Sequence, residues 1–130
     1  MILPVTLSTA AAAAILTLWL MARCGGMRAK KKIIHGDGGD AHLARRMRAQ
    51  LNFVESAPFI LLLIAAVELA GKGGMWLPYV AALYIIGRIL HPLGMEGETL
   101  TFMRGAGATI TMLTLFGLAV YAAMIASGVV

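Results

Sequence analysis

The stretch from Gly105 to Val130 reads GAGATITMLTLFGLAVYAAMIASGVV and contains no Asp, Glu, Lys or Arg. A helix rises about 1.5 Å per residue, so about 20 apolar residues are needed to cross the hydrocarbon core of a bilayer. This uncharged run has 26 residues and is therefore long enough. It predicts a membrane-spanning helix and sets the class of the whole protein.

The composition of the whole chain agrees with this prediction. Of its 130 residues, 60% are hydrophobic and 13% are charged, whereas soluble domains have about 25% charged residues. Such a chain is neither disordered nor an ordinary soluble enzyme, and it lacks the polar surface with which proteins bind nucleic acid. Its length allows a single domain over residues 1–130. One cysteine, Cys24, cannot form an intrachain disulfide.

Three more apolar runs precede the last one. The first, from residue 2 to 22, has no charged side chain. The second and third are separated by a glycine-rich hairpin at Gly71, Gly73 and Gly74, and the third closes at His91-Pro92. We therefore predict an all-α membrane protein, a four-transmembrane-helix bundle with spans at about 2–22, 43–70, 75–91 and 103–128.

Basic residues concentrate in two of the three loops. Ten of the eleven Lys and Arg lie in or beside the first and third loops, and only Lys72 lies in the second. Positive residues are enriched in cytoplasmic loops, so we expect the first and third loops in the cytoplasm and both termini on the opposite side. The cluster from Arg28 to Lys32 is interpreted as this topological signal, and it also attracts anionic membrane lipid.

The second span carries a polar stripe, which consists of Arg45, Arg48, Asn52 and Glu55. The spacing of 3, 4 and 3 residues places these side chains within about 80° of one another on a helix. Two interpretations are open. In one, Glu55 forms an ion pair with Arg48 or with an arginine of a neighbouring helix. In the other, the stripe binds a zwitterionic ligand, because arginine suits a carboxylate, an amide suits a peptide group and a carboxylate suits an ammonium.

More ionisable residues follow near the same predicted side of the membrane. Arg88 and His91 are one helical turn apart in the third span, and Arg104 begins the fourth. An arginine at a helix end ordinarily extends to the lipid headgroups, but an incompletely neutralised guanidinium can instead stabilise a thiolate. Position alone leaves both roles open. The three histidines, at positions 35, 42 and 91, have no recognised metal-ligand spacing, so we predict no metal site.

The sequence RAQLNFVESAP at residues 48–58 resembles the signature of the membrane-associated proteins in eicosanoid and glutathione metabolism, the MAPEG family. GDGG at residues 36–39 and RILHPLG at residues 88–94 are similar to the short prokaryotic branch of this family. The likeness extends over essentially the whole chain. It implies a left-handed four-helix bundle assembled as a homotrimer in a bacterial inner membrane, with glutathione held between neighbouring subunits at the cytoplasmic side.

The resemblance also implies which residues contact glutathione, the expected co-substrate. Arg48, Asn52 and Glu55 match the ligand-binding pattern of the family directly. Gln50 matches it in some members, and Arg28 approximates an arginine that the family places after the first span. His91 occupies a position where some members have a ligand-contacting tyrosine. The full set of expected glutathione-binding residues is Arg48, Asn52, Glu55, Gln50, Arg28 and His91.

For catalysis, the resemblance implies an arginine that stabilises the glutathione thiolate. We assign this role to Arg104, with Arg88 as the alternative. Ser56 stands where many family members carry a tyrosine, and His91 stands where some carry another, so two phenolic hydroxyls are missing from the pattern. The expected activity is that of a glutathione-dependent transferase or peroxidase acting on lipophilic electrophiles dissolved in the membrane.

Two other functions are compatible with four spans. One is a non-catalytic relative that binds lipid or glutathione. The other is a small exporter of lipophilic cations, which needs an acidic residue within a span, typically in the first helix. The first span has no charge and Glu55 has basic neighbours that repel a cation, so the exporter is the least favoured function.

Overall fold

The computed structural model describes all 130 residues, which form four helices joined by three loops. The helices are α1 (Pro4–Lys31), α2 (Ala41–Leu69), α3 (Leu77–Gly94) and α4 (Phe102–Ala126). Each helix is long and apolar enough to cross a membrane. The predicted all-α bundle with four candidate membrane spans is therefore confirmed.

The observed bounds differ most from the predicted spans at the end of α1. We expected the span to end near residue 22, but the helix continues to Lys31. No proline interrupts this segment, and the basic side chains of the last turn interact favourably with the negative end of the helix dipole. The first helix therefore extends roughly two turns beyond its apolar part.

The start of α1 is capped by a side chain of a different helix. The carboxylate of Glu68, in the last turn of α2, accepts hydrogen bonds from the N–H groups of Val5 at 2.9 Å and Thr6 at 2.8 Å. It also accepts one from the Thr6 hydroxyl at 2.7 Å. The first N–H groups of a helix have no partner within the helix, so Glu68 satisfies two of them and holds the start of α1 beside the end of α2.

Side-chain contacts show which loops share an end of the bundle. At one end, here called the mouth end and formed by residues 32–40 and 95–101, Arg46 near the start of α2 pairs with Glu96 of the third loop. At the other end, the Tyr121 hydroxyl donates to the carbonyl oxygen of Lys72 in the second loop at 3.1 Å. The first and third loops thus lie together, as predicted. The side of the membrane that the mouth end faces stays a prediction.

Glycines bring α3 and α4 into backbone contact. A Cβ atom added to Gly107 would lie 2.5 Å from the carbonyl oxygen of Gly87 and 2.7 Å from the Cβ of His91. Gly94 meets the backbone of Arg104 in the same way. Small residues allow such close approach of membrane helices, so these glycines set the position of His91 relative to Arg104.

Apolar packing forms two clusters. One joins α2 to α3 and α4 around Ile60, Ile64 and Tyr84. The other joins α1 to α2 around Leu20 and Phe53. Many other large apolar side chains point outward, which is the arrangement expected for a bundle surrounded by lipid or by further subunits.

Candidate functional site

The carboxylate of Glu96 contacts basic side chains of two helices at the mouth end. Arg46 donates to Glu96 through Nε to Oε1 at 3.1 Å and through Nη2 to Oε2 at 3.0 Å. Arg23 of α1 forms an ion pair with the same carboxylate, and Nε2 of His42 lies 2.6 Å from Oε2. This group of four residues, the Glu96 cluster, fastens the third loop to α1 and α2.

The third loop also engages one member of the predicted polar stripe. Nε of Arg45 donates to the carbonyl oxygen of Glu96 at 3.2 Å, and its Nη1 lies 3.9 Å from the exposed carboxylate of Glu98. Arg45 therefore supports the loop.

The rest of the stripe has no partner within the protomer. Arg48 and Glu55 are exposed and Asn52 is half-buried. Neither charged side chain takes part in an ion pair. The interpretation that Glu55 pairs with Arg48 is therefore wrong for the single chain. These three side chains are free to contact a ligand or another subunit.

A groove of about 500 Å³ lies beside Arg48 at the mouth end. Three of the predicted glutathione-binding residues line this mouth groove, and Arg28 is held there by hydrogen bonds from Nη2 to Sδ of Met47 at 3.2 Å and from Nη1 to the carbonyl oxygen of Ile34 at 3.4 Å. The groove thus combines two guanidinium groups, one carboxylate and one amide with four apolar side chains. The lining residues are Arg28, Asp37, Ala44, Met47, Arg48, Gln50, Leu51 and Val54.

Asn52 and Glu55 lie farther along α2, outside the lining of the mouth groove. Glu55 is at the middle of α2, which runs from Ala41 to Leu69. By the helical rise, its Cα is about 20 Å from either end of the helix. A carboxylate on the outer surface at this depth faces hydrocarbon unless something polar covers it, and such exposure is costly.

Arg104 lies in the first turn of α4 at the mouth end and is half-buried. Its backbone N–H donates to the Thr101 side chain, which caps the helix, at 3.2 Å. Its guanidinium forms no ion pair within the protomer. The structure therefore leaves the charge of this predicted catalytic residue available.

Arg88 and His91 occupy the interior of the bundle and do not line the mouth groove. Arg88 is 2% exposed and His91 is 4% exposed. Nη1 of Arg88 donates to Oγ1 of Thr111 at 3.1 Å, and its guanidinium carbon lies 5.9 Å from the centre of the Phe53 ring. Nε and Nη2 of Arg88 and Nδ1 of His91 have no hydrogen-bond partner in the protein.

A tyrosine that the sequence analysis missed contacts Ser56. The hydroxyls of Ser56 and Tyr84 lie 3.0 Å apart, and Tyr84 is fully buried. A phenol thus reaches the position after Glu55 from α3, although its hydroxyl is turned into the protein. The sequence did contain one signal that could have identified Tyr84 as a residue near the site. Tyr84, Arg88 and His91 are spaced 4 and 3 residues apart and therefore share one face of a helix.

The charge at the mouth end is predominantly positive, and one of its few carboxylates is already engaged. Asp40, just before α2, is hydrogen-bonded to Lys31 and to the N–H of Leu43. The hydrogen bond from Lys31, followed by that from Leu43, lowers the pKa of Asp40 below its usual range. Asp40 therefore stays ionised without neutralising Arg28 or Arg48, and the mouth groove attracts anions.

Comparison with known families agrees with this geometry. The MAPEG family model matches residues 6–124, a range that includes parts of all four helices. A comparison with curated proteins found no significant match.

Proposed function

The chain belongs to the MAPEG family, a family of membrane glutathione-related transferases and peroxidases, and we propose that it is a glutathione-dependent transferase or peroxidase acting on lipophilic electrophiles. The observation that carries the proposal is the row of unpaired polar side chains running along α2 from the mouth groove to Glu55.

The chemistry of this row suits the tripeptide. Glutathione carries two carboxylates and one ammonium at neutral pH, so it needs cations at two points and an anion at a third. Arg28 and Arg48 are suited to the carboxylates, Gln50 and Asn52 to the peptide groups, and Glu55 to the ammonium. The rise from Arg48 to Glu55 is about 10 Å, which is also about the length of three extended residues.

The depth of Glu55 supports a ligand site shared between subunits. The exposed carboxylate at the middle of α2 needs a polar cover, and a second copy of the chain together with bound glutathione would provide it. In the proposed homotrimer, the unpaired guanidinium of Arg104 comes from the neighbouring copy and approaches the thiol. His91, enclosed within its protomer, contributes to the site by packing.

The reaction then depends on forming the thiolate. A free thiol has a pKa of about 8.5, and a nearby cation favours its ionised, nucleophilic form. Each pKa unit corresponds to about 1.4 kcal/mol. In transfer, the thiolate sulfur attacks an electrophilic carbon, forms a C–S bond and displaces the leaving group. In peroxide reduction, it attacks an oxygen, breaks the O–O bond and releases an alcohol, which leaves the sulfur as a sulfenic acid. A second glutathione then attacks that sulfur, forms the disulfide and releases water.

Arg104 suits this role better than Arg88. Arg104 is half-buried at the mouth end, where an anionic tripeptide arrives by electrostatic attraction. Arg88 is enclosed by its own protomer. A thiol bound at the mouth end is therefore more accessible to Arg104 than to Arg88.

The non-catalytic function remains a second candidate, because of one observation. The buried Tyr84 hydroxyl is bonded to Ser56, so this phenol is engaged within the protomer and is not free to donate a hydrogen bond to the thiolate. Turnover of a chlorodinitrobenzene with glutathione distinguishes the two functions. Activity that is abolished in Arg104→Gln supports the enzyme, whereas glutathione binding without any turnover supports the binding protein.

Calorimetry on the detergent-solubilised protein tests the ligand site directly. We expect Arg48→Gln to weaken glutathione binding by about tenfold or more, equivalent to about 1.4 kcal/mol. Lys30→Gln is the matched control, because it removes an exposed charge at the same end but outside the mouth groove. Its affinity should stay within about twofold at moderate salt. Failure of the intact wild-type oligomer to bind glutathione would contradict the proposal.

A further inference from the structure

The interior of the bundle contains a cation that no carboxylate of the chain neutralises. Arg88 is 2% exposed and takes part in no ion pair. The six acidic residues lie in the loops, at the end of α2 or on the exposed face of α2. They are Asp37, Asp40, Glu55, Glu68, Glu96 and Glu98.

The free hydrogen-bond donors of Arg88 are on one edge of its guanidinium. Nη1 is used, because it donates to Thr111, whose hydroxyl in turn donates to the carbonyl oxygen of Gly107 at 2.9 Å. Nε and Nη2 have no partner in the protein. These two nitrogens form the edge with which arginine binds an anion through two parallel hydrogen bonds.

The surroundings of this edge offer no other compensation. The Phe53 ring provides only the weak attraction of an aromatic face, at 5.9 Å from the guanidinium carbon. The hydroxyls of Ser56 and Tyr84 are bonded to each other. One turn along α3, Nδ1 of His91 is a second buried nitrogen without a partner. A water molecule could satisfy the hydrogen bonds of Arg88 but would leave its charge in a medium of low dielectric constant, which is costly.

We propose that Arg88 binds a small monovalent anion of halide size inside each protomer, between α2, α3 and α4. The anion accepts hydrogen bonds from Nε and Nη2 and neutralises the guanidinium. A neighbouring subunit cannot supply this charge, because the protomer itself encloses Arg88. The site is separate from the mouth groove, so it goes beyond the proposed glutathione chemistry and does not depend on it.

Thermal unfolding of the detergent-solubilised protein, without glutathione, tests the site. Bromide replaces gluconate at constant ionic strength. A ligand bound only by the folded state raises the unfolding midpoint in a saturable way, and we expect a rise of about 3–6 °C. Arg88→Gln should abolish the rise. Arg104→Gln, which removes an equal charge from the same end of the bundle, should retain it.

Three outcomes would overturn the proposal: an equal midpoint in bromide and gluconate, a rise that persists in Arg88→Gln, or a rise that is lost in Arg104→Gln. A second measurement needs no variant, in case Arg88→Gln does not fold. Wild-type crystals grown in bromide should give an anomalous peak on the Nε–Nη2 edge of Arg88. Density there without anomalous signal would identify water and refute the anion site.

Discussion

Arg46 and Glu96 form a two-point ion pair, with nitrogen to oxygen distances of 3.1 and 3.0 Å, that joins the start of α2 to the loop between α3 and α4. Arg23 and His42 meet the same carboxylate. The loop that leads into Arg104 is therefore positioned by α1 and α2.

The first prediction concerns Glu96. Glu96→Gln removes the charge shared by three basic side chains while keeping a similar shape, and the partly exposed pair limits the cost to about 1–2 kcal/mol. Unfolding in detergent measures it. Glu98→Gln is the control, since Glu98 is 85% exposed and its loss should change stability by less than about 0.5 kcal/mol. Equal effects of the two variants would mean that the Glu96 cluster does not hold the loop.

The second prediction concerns the cap of α1. Glu68→Ala removes the acceptor for the N–H groups of Val5 and Thr6. Loss of an N-cap costs about 1 kcal/mol, so hydrogen exchange at these two amides should become faster by about fivefold. Ser8→Ala is the control, because the Ser8 hydroxyl bonds only to carbonyls of its own helix. Unchanged exchange in Glu68→Ala would show that α1 is capped in another way.

The third prediction concerns the contact between α3 and α4. Gly107→Ala places a methyl group 2.5 Å from the Gly87 carbonyl oxygen, and the helices must separate at a cost of about 1–3 kcal/mol. Gly105→Ala, where the added carbon meets nothing within 4 Å, should be neutral or slightly stabilising. Unfolding midpoints compare the two variants. A neutral Gly107→Ala would indicate that the helices are not in backbone contact.

The fourth prediction is that the Tyr84 hydroxyl contributes to stability but not to the reaction. Tyr84→Phe removes the hydroxyl bonded to Ser56 and should lower stability by about 0.5–1.5 kcal/mol. Because that hydroxyl is fully buried, glutathione affinity and turnover should be unchanged. A loss of turnover at normal affinity would instead assign the phenol to the reacting thiol.

The fifth prediction is a pH dependence. The hydrogen bond from Lys31 lowers the folded-state pKa of Asp40. Its stabilisation is therefore present above the unfolded pKa of about 3.9 and is lost as the pH falls through the folded value. The wild type should lose part of its stability as the pH falls below that unfolded pKa. Asp40→Asn, which can still cap α2, should lose less over the same range. An identical loss in both proteins would assign the pH dependence to other groups.

The four helices were predictable because each apolar run is long enough to identify a span by itself. The end of α1 was not predictable in this way. Hydropathy locates the membrane segment, but it does not show that the same helix continues through polar residues to Lys31. The mouth groove was also predictable only in part, because a pattern within one helix does not show which of its side chains a loop will contact. Spacing places Arg45 and Arg48 on one stripe, but only the folded third loop determines that Arg45 is engaged and Arg48 is free.

The interior residues depend on relations between helices. Arg88 was predicted near the mouth from its place in the sequence, but only the fold shows that it is buried between Phe53 of α2 and Thr111 of α4. The contact of Tyr84 with Ser56 likewise requires the relative register of two helices. Periodicity within one helix defines a face, but it does not determine what that face meets.

The capping of α1 by Glu68 also means that the first helix is completed by the second. Glu68 follows Val5 by 63 residues in the sequence, so the first helix obtains its cap only from a segment far along the chain. In the absence of the second helix, the N–H groups of Val5 and Thr6 have no partner within α1. The α1–α2 hairpin is therefore the smallest part of the chain that contains both the start of the first helix and the side chain that caps it.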